Sequence, residues 1–445
     1  MLAASFITPA ALPQVGPGAE KPNILIIVTD DQRQGLEVMP VVRRSIQSKG
    51  RRYPNAHVTT PVCCPSRASI MTGRYAHNHG VRTNLDQREL DHRDTLQFYL
   101  QRDGYRTGYV GKFLNNWPLT QGPPFFHDWS LSSPSAIDRR SRYYGGRINV
   151  DGAIRRVDQY STDFFGGQAT KLLNRYERQD DRPWLMYVAP SAPHPPFIPA
   201  VKYRDARVPP FNGNPGIREK DLSDKPKWVR QADDGGSKTP QEIRALQYRL
   251  LMSVDDMASR ILRGLNKLGE AGDTLVIFIS DNGYAWGEHG LTGKFVPYTE
   301  AHKVPLLIRW PNHFGPASTD DRLVANIDIA PTILDAAGIV PDGPAMDGKS
   351  LLDETWTRPR LLLEYSKHNY SDAPNWASTI TKTTQYVEYY SGGGILAREY
   401  YDLDQDPFQL LNLLGDDNVL NDPPTVPALS LQLEQDRSCS GATCP

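Results

Sequence analysis

The chain has 445 residues, with 50 lysines and arginines against 51 aspartates and glutamates and a formal charge of −1. That balance, with no basic tail, excludes general nucleic-acid binding, and the longest aliphatic runs fall far short of the ~20 apolar residues that span a bilayer. The length allows two or three domains, and 37 prolines point to long ordered loops rather than a helical bundle.

In chain order, residues 1–20 read as a mildly apolar leader without a basic start, either a signal remnant or an ordinary disordered segment. Residues 24–29 form a continuous aliphatic run ending in Asp30-Asp31. Such a run predicts a strand buried on both faces, as in a parallel sheet. Next, Cys63-Cys64-Pro65-Ser66-Arg67 packs a thiol, a proline, a hydroxyl and a guanidinium into five residues. A helix beginning near Pro65 would aim its N-terminal amides at Cys63, and Arg67 could grip a tetrahedral oxyanion with two parallel hydrogen bonds. Without the rest of the motif, a Cys-Cys pair is better read as two buried apolar side chains.

Residues 95–100 predict a helix and 104–110 a strand, after which Gly111-Lys112 reaches the strand's end. The segment 122–156 reads as loop-rich and aromatic, able to rim a pocket or pack on the sheet. A helix over 162–175 and a buried strand over 184–189 lead to Pro190-Ser191-Ala192-Pro193-His194-Pro195-Pro196, where prolines hold His194. Residues 202–236 read as a charged surface excursion. Thr239-Pro240-Gln241-Glu242 is a capping-box signature opening a long core helix that stops at Gly269.

A second aliphatic strand, 274–280, ends in Asp281-Asn282-Gly283, followed by Glu288, His289 and Lys294. Each acidic pair alone is ordinary turn chemistry. Two pairs delivered to the carboxyl ends of parallel strands can meet, and four oxygen-bearing side chains suit Ca²⁺ or Mg²⁺ rather than Zn²⁺. From about residue 345 short strands appear near 361–365, 382–390 and 398–402. Cys439 and Cys444 close a small loop, read as a disulfide, which implies an oxidising compartment and a secreted or extracytoplasmic protein.

Cys63, Pro65, Ser66 and Arg67, followed by Thr72-Gly73-Arg74, resemble the signature of the type I, formylglycine-dependent sulfatases of the alkaline phosphatase superfamily. The resemblance runs from Asn23 to the Cys439/Cys444 tail. It implies an α/β fold: a large mixed, mostly parallel sheet sandwiched by helices, with a smaller C-terminal antiparallel-sheet subdomain. The expected division is a leader at 1–20, a catalytic domain at 21–344, and a subdomain with a terminal helix at 345–445.

The resemblance also implies the chemistry. A formylglycine-generating enzyme acts on the Cys63 motif, and the hydrated aldehyde attacks sulfate esters. Asp30, Asp31, Asp281 and Asn282 hold one Ca²⁺, or Mg²⁺, with the residue-63 oxygen completing the shell. Arg67, Lys112 and Lys294 stabilise the sulfuryl group, and His194 protonates the leaving alcohol. His289 is a looser acid/base match. Leu114-Asn115 stands where many members carry histidine and matches a glycan-directed subgroup, leaving Asn115 to orient the diol.

Cys63 to Arg67 together with Tyr75-Ala76-His77-Asn78-His79 is similar to N-acetylglucosamine-6-sulfatases and heparan-type sulfatases. That implies sulfated saccharide or aryl sulfate substrates. Two rivals stand beside it: a phosphate or phosphonate monoester hydrolase of the same superfamily, and an unmodified, inactive glycan-binding protein.

Overall fold

The computed structural model describes residues 21–132, 139–179, 181–232, 238–367, 371–416 and 422–445, so the expected leader lies outside the described residues. A ten-stranded sheet organises the chain. Its strands are β1 (Asn23–Thr29), β2 (Arg51–Arg52), β3 (Arg106–Lys112), β4 (Asp128–Ser132), β5 (Gly146–Val150), β6 (Ala153–Val157), β7 (Trp184–Ala189), β8 (Thr274–Ser280), β9 (Leu306–Arg309) and β10 (Ser318–Thr319). The spatial order is β10-β2-β9-β8-β1-β7-β3-β4-β5-β6. β4, β3, β7, β1 and β8 form a parallel block, and antiparallel strands flank it, β9 against β8 and β5 against β4.

Parallel connections lay helices on both faces of a sheet, and β1 shows the result residue by residue. Ile24, Ile26 and Val28 face one core, shared with Ala68, Ile70 and Met71 of α1 (Cys63–Thr72). Leu25 and Ile27 face the other, shared with Phe165 and Leu172 of α2 (Ser161–Glu177) and with Leu250, Val254 and Met257 of α3 (Pro240–Leu268). Each such aliphatic side chain, fully buried, contributes roughly 1.5–3 kcal/mol. The α3 boundaries match expectation: Thr239 and Glu242 complete the capping box, and Gly269 closes the helix in the left-handed region.

Three expectations need correction. The first concerns α1, which starts at Cys63, two residues before Pro65. Pro65 still falls among the first four helical residues, whose N–H groups have no intrahelical acceptor, so its ring breaks no bond. The second concerns the loop-rich segment 122–156, which contains β4, β5 and β6. Asp151 and Gly152, both at positive φ, close the β5–β6 hairpin, as a two-residue type I′ turn requires.

The third concerns the excursion at 202–236, which is not simply solvated. Lys225 is buried with its Nζ 2.8 Å from the Leu410 carbonyl, and Asn412 N donates to Asp224 Oδ2 at 2.6 Å. The segment thus docks on the C-terminal region.

That region holds a four-stranded antiparallel sheet: β11 (Leu361–Tyr365), β12 (Asn375–Ile380), β13 (Thr384–Ser391) and β14 (Gly394–Asp402). β12 was not among the expected strands. α4 (Val426–Asp436) follows, and Cys439 is disulfide-bonded to Cys444. A buried ion pair ties the segment entering β11 to the turn at Asn326–Asp328, with Arg358 Nη1 and Nη2 each 2.7 Å from an oxygen of Asp328.

Candidate active site

β1 and β8 are neighbours in register, with Thr29 opposite Ser280. The acidic pairs that follow therefore leave the sheet at the same point, at the carboxyl ends where α/β sheets bind ligands. Asp31 N donates to Asp281 Oδ1 at 3.1 Å, and Asn282 Nδ2 donates to Asp31 Oδ1 at 2.7 Å. Asp31 adopts φ 70°, a left-handed conformation that non-glycine residues rarely take and that clusters at functional sites.

α1 brings the thiol. Cys63 Sγ lies 3.3 Å from Asp30 Oδ1 and 4.0 Å from Asp31 Oδ1. Arg67 follows at i+4 and so shares Cys63's face of the helix. Its Nε donates to Asp281 Oδ2 at 2.8 Å and its Nη1 to the Lys112 carbonyl at 2.6 Å, while Nη2 is buried with no hydrogen-bond partner among the described residues. Lys112 ends β3, and its Nζ is 2.7 Å from Asp30 Oδ2. Gly111 before it is required by packing: a Cβ there, at φ +118°, would sit 2.0 Å from the Ala189 carbonyl of β7.

Lys294 Nζ donates to Cys63 Sγ at 2.6 Å, lies 3.4 Å from Asn282 Oδ1, and also bonds Asp31 Oδ1. His194 Nε2 stands 3.8 Å from Asp31 Oδ2. Its Nδ1 is 2.5 Å from the Pro195 carbonyl, an acceptor, so Nδ1 carries the proton and Nε2 presents its lone pair. Asp30, Asp31, Cys63, Arg67, Lys112, Asp281, Asn282 and Lys294 thus form one buried cluster, with His194 partly exposed at its edge.

Residues that sequence reasoning missed join it. Arg142 Nη1 lies 3.9 Å from Asp30 Oδ2. Tyr143 Oη is within hydrogen-bond distance of the Ser191 and His194 carbonyls, 3.2 and 2.5 Å, holding the histidine loop. The only signal for Arg142 was the basic run Arg139-Arg140-Ser141-Arg142. By contrast, His289 bonds Glu219 Oε2 at 2.5 Å and lies tilted against the Tyr298 ring, and it is not grouped with the Cys63 ligand atoms. The backbone of Asn115 bonds the neighbouring Cys64 thiol. His77 and Asn78 bond the Cys439 carbonyl, and His79 bonds Ser69, so this part of the motif braces the fold.

The electrostatics follow from burial. Burial pushes the Asp30 carboxyl up, but Lys112, His194, Arg67 and Lys294 together hold it well below the usual carboxylate range. Burial and the adjacent Asp30 charge raise Asp281 to about 6. Burial, then Asp30, pushes the Cys63 thiol up to about 12. His194 is lowered to about 3 by burial and by Arg142.

The donor set fits a hard divalent cation. Asp31 Oδ2 is buried without a hydrogen-bond partner among the described residues, and ligand atoms of Asp30, Asp31, Cys63 and His194 lie within 4.8 Å of one another. Repulsion between Asp30 and Asp281 is what such an ion relieves. Asp281 lies outside that group of ligand atoms, and Asp31 N and Arg67 Nε already engage its two oxygens.

Residues 22–339 match the family model described as Sulfatase, and residues 287–436 match one described as N-sulphoglucosamine sulphohydrolase, C-terminal. The human N-acetylglucosamine-6-sulfatase is 30% identical over 97% of this chain and 87% of that protein. The extracellular sulfatase SULF-1 homolog of Drosophila melanogaster is 33% identical over 77% of this chain and 32% of that protein. A solved structure described as a complex with its substrate D-glucosamine-2-N,6-O-disulfate superposes with TM-score 0.81 at 23% identity, covering 93% of this chain and 97% of that one.

Proposed function

We propose that this chain, which belongs to the type I sulfatases of the alkaline phosphatase superfamily and hydrolyses sulfate esters, acts on sulfated sugars through a formylglycine made from Cys63 and one divalent cation. The observation that supports this reading is the convergence of Cys63, Arg67, Lys112, Lys294 and the Asp30/Asp31 pair in one buried cluster.

In this reading, oxidation of Cys63 by a formylglycine-generating enzyme supplies a hydrated aldehyde, with one hydroxyl to accept the sulfuryl group and a second to expel it. Asp30, Asp31, Asp281 and Asn282 would hold Ca²⁺ or Mg²⁺, which when bound would supply positive charge to the site. Arg67, anchored by Asp281 and the Lys112 carbonyl, turns Nη2, which makes no hydrogen bond to a described residue, to a sulfate oxygen. Lys112 and Lys294 complete that cradle, each already desolvated, so their charge costs no reorganisation during the reaction.

Asp281, raised to about 6, draws a proton from the attacking hydroxyl. His194 orients Nε2 toward the leaving oxygen, its ring held through the Pro195 carbonyl. Burial opposes its protonation, and an anionic ester brought against Nε2 offsets that penalty.

We further read 21–344 as the catalytic unit and 345–445 as a subdomain that braces it. A secreted or extracytoplasmic location is supported by the Cys439–Cys444 disulfide. No described helix is long and apolar enough to cross a membrane.

The test compares aryl sulfate, aryl phosphate and phosphonate monoester turnover, alongside mass spectrometry of the peptide spanning Cys63. The expected result is preferential sulfate hydrolysis that scales with formylglycine content. Preferential phosphonate or phosphate hydrolysis, or an unmodified thiol with no turnover, overturns it in favour of a rival.

A further inference from the structure

A cavity of about 490 Å³ opens beside the site, between the segment around Arg142 and the β5–β6 hairpin. Its described lining includes Arg142, Arg147, Arg155 and Arg156 with Ser132 and Gln159, and no acidic side chain. A concave surface of a single charge sign focuses potential and concentrates ligands of the opposite sign.

The cavity borders the catalytic cluster through Arg142 and Ser132. Ser132 pairs with Lys112 in the β3–β4 register, which puts it one strand spacing, ~4.8 Å, from a site residue's backbone. The Ser132 hydroxyl is buried without a hydrogen-bond partner among the described residues. Arg142 belongs to both places: Nη1 lies 3.9 Å from Asp30 Oδ2, while its buried Nε makes no hydrogen bond to a described residue.

At the far wall, Arg147 stands directly opposite Arg156 in the hairpin register. Like charges so placed destabilise a strand pair unless something anionic sits between them. Among the described residues the acid bonded to either is Asp158, 3.0 Å from Arg156 Nε in a largely exposed pair, which solvent screens.

We propose that this cavity binds a second anionic group, sulfate or carboxylate, of a saccharide whose scissile sulfate ester lies at Cys63. The site is thereby a reader of multiply anionic sugars. The inference rests on the sulfatase reading above. Its volume suits one sugar unit, since small-ligand pockets run ~300–1,000 Å³. Arginine's planar fork matches both candidate groups. The second anion comes either from another substituent of the same sugar or from the neighbouring sugar.

The test uses the double variant Arg147→Ala/Arg156→Ala, whose side chains are exposed and outside the catalytic cluster. Substrates are an aryl sulfate with no second charged group, a disulfated glucosamine and a sulfated, uronate-containing tetrasaccharide. For the aryl sulfate, kcat/KM is expected to stay within about twofold. For the tetrasaccharide, KM is expected to rise about tenfold with kcat held, and the salt dependence to become shallower.

A matching rise on the disulfated monosaccharide assigns the cavity to the same sugar, and a rise confined to the tetrasaccharide assigns it to the neighbour. Equal losses on every substrate, or none on the tetrasaccharide, overturn the proposal. Calorimetric titration of the tetrasaccharide into the full-length Cys63→Ala protein, with and without the arginine changes, reads the cavity independently of turnover. If the unaltered enzyme hydrolyses no sulfate ester, the reaction assignment fails while this titration still decides the cavity.

Discussion

Lys294 Nζ and Cys63 Sγ lie 2.6 Å apart although 231 residues separate them in the chain. The ammonium is also shared with Asp31 and Asn282, so it serves the nucleophile position and the proposed cation shell together. Lys294→Ala is expected to lower kcat/KM for an aryl sulfate by ~10²–10³-fold, the usual cost of deleting one preorganised charge donor. Lys294→Arg should not restore it, because a planar fork does not replace a point charge in this space. Formylglycine content, measured on the same samples, separates lost catalysis from lost maturation. Activity within threefold of the parent refutes the role.

The oxygen cluster predicts metal dependence. Exhaustive chelation is expected to reduce turnover by ~10²-fold or more, lower the thermal midpoint, and be reversed by Ca²⁺ or Mg²⁺. Elemental analysis of the untreated enzyme should find about one such ion per chain, and Asp31→Asn should abolish retention. Full activity in metal-free protein contradicts the assignment.

His194 faces Asp31 through Nε2, where a leaving oxygen would need a proton. His194→Ala should therefore scarcely affect an aryl sulfate whose phenol leaves readily. It should slow a sugar sulfate by ~10²–10⁴-fold, the range for general-acid catalysis. Equal losses on both substrates would mean that the imidazole only positions the ester.

Acid sensitivity follows from three histidines away from the reacting centre. Val81 N donates to His79 Nδ1 at 3.2 Å, so Nδ1 holds a lone pair that protonation would destroy. His302 Nε2 faces the Pro297 carbonyl, and its Nδ1 lies 2.9 Å from His57 Nδ1, so His57 donates and His302 accepts. Burial lowers His79 and His302 to about 3 and His57 well below its ordinary value.

Depressed folded-state values mean that the folded state binds fewer protons. This contribution to stability is complete above the unfolded value of ~6.5 and is lost as pH falls toward the folded values. Three such groups lower the unfolding free energy by up to ~4 kcal/mol per pH unit below about pH 6. Denaturant midpoints at pH 7.5, 6.0 and 5.0 measure this, and His79→Gln should flatten the slope by about one proton. A stability independent of pH in this window would show that these rings are not held neutral.

Much of the scaffold was legible locally. The aliphatic runs before Asp30 and Asp281 are buried parallel strands, and Thr239, Glu242 and Gly269 bound α3. Those signals are local: periodicity, caps and breakers act within a few residues. The β5–β6 hairpin escaped notice although Asp151-Gly152 announces its turn, because the aromatic, glycine-rich flanks obscure strand alternation.

The residue types of the cluster, its acidic pairs, its cysteine and its arginine were set by the linear order alone. Their meeting was decided by the register that puts Thr29 opposite Ser280 and by α1 starting at Cys63. The arrival of Arg142 beside Asp30, and of Lys225 beneath Leu410, belongs wholly to tertiary structure. No local pattern encodes such contacts, because each depends on closing a long loop whose entropic cost is met by the packing of the whole sheet and not by neighbours in sequence.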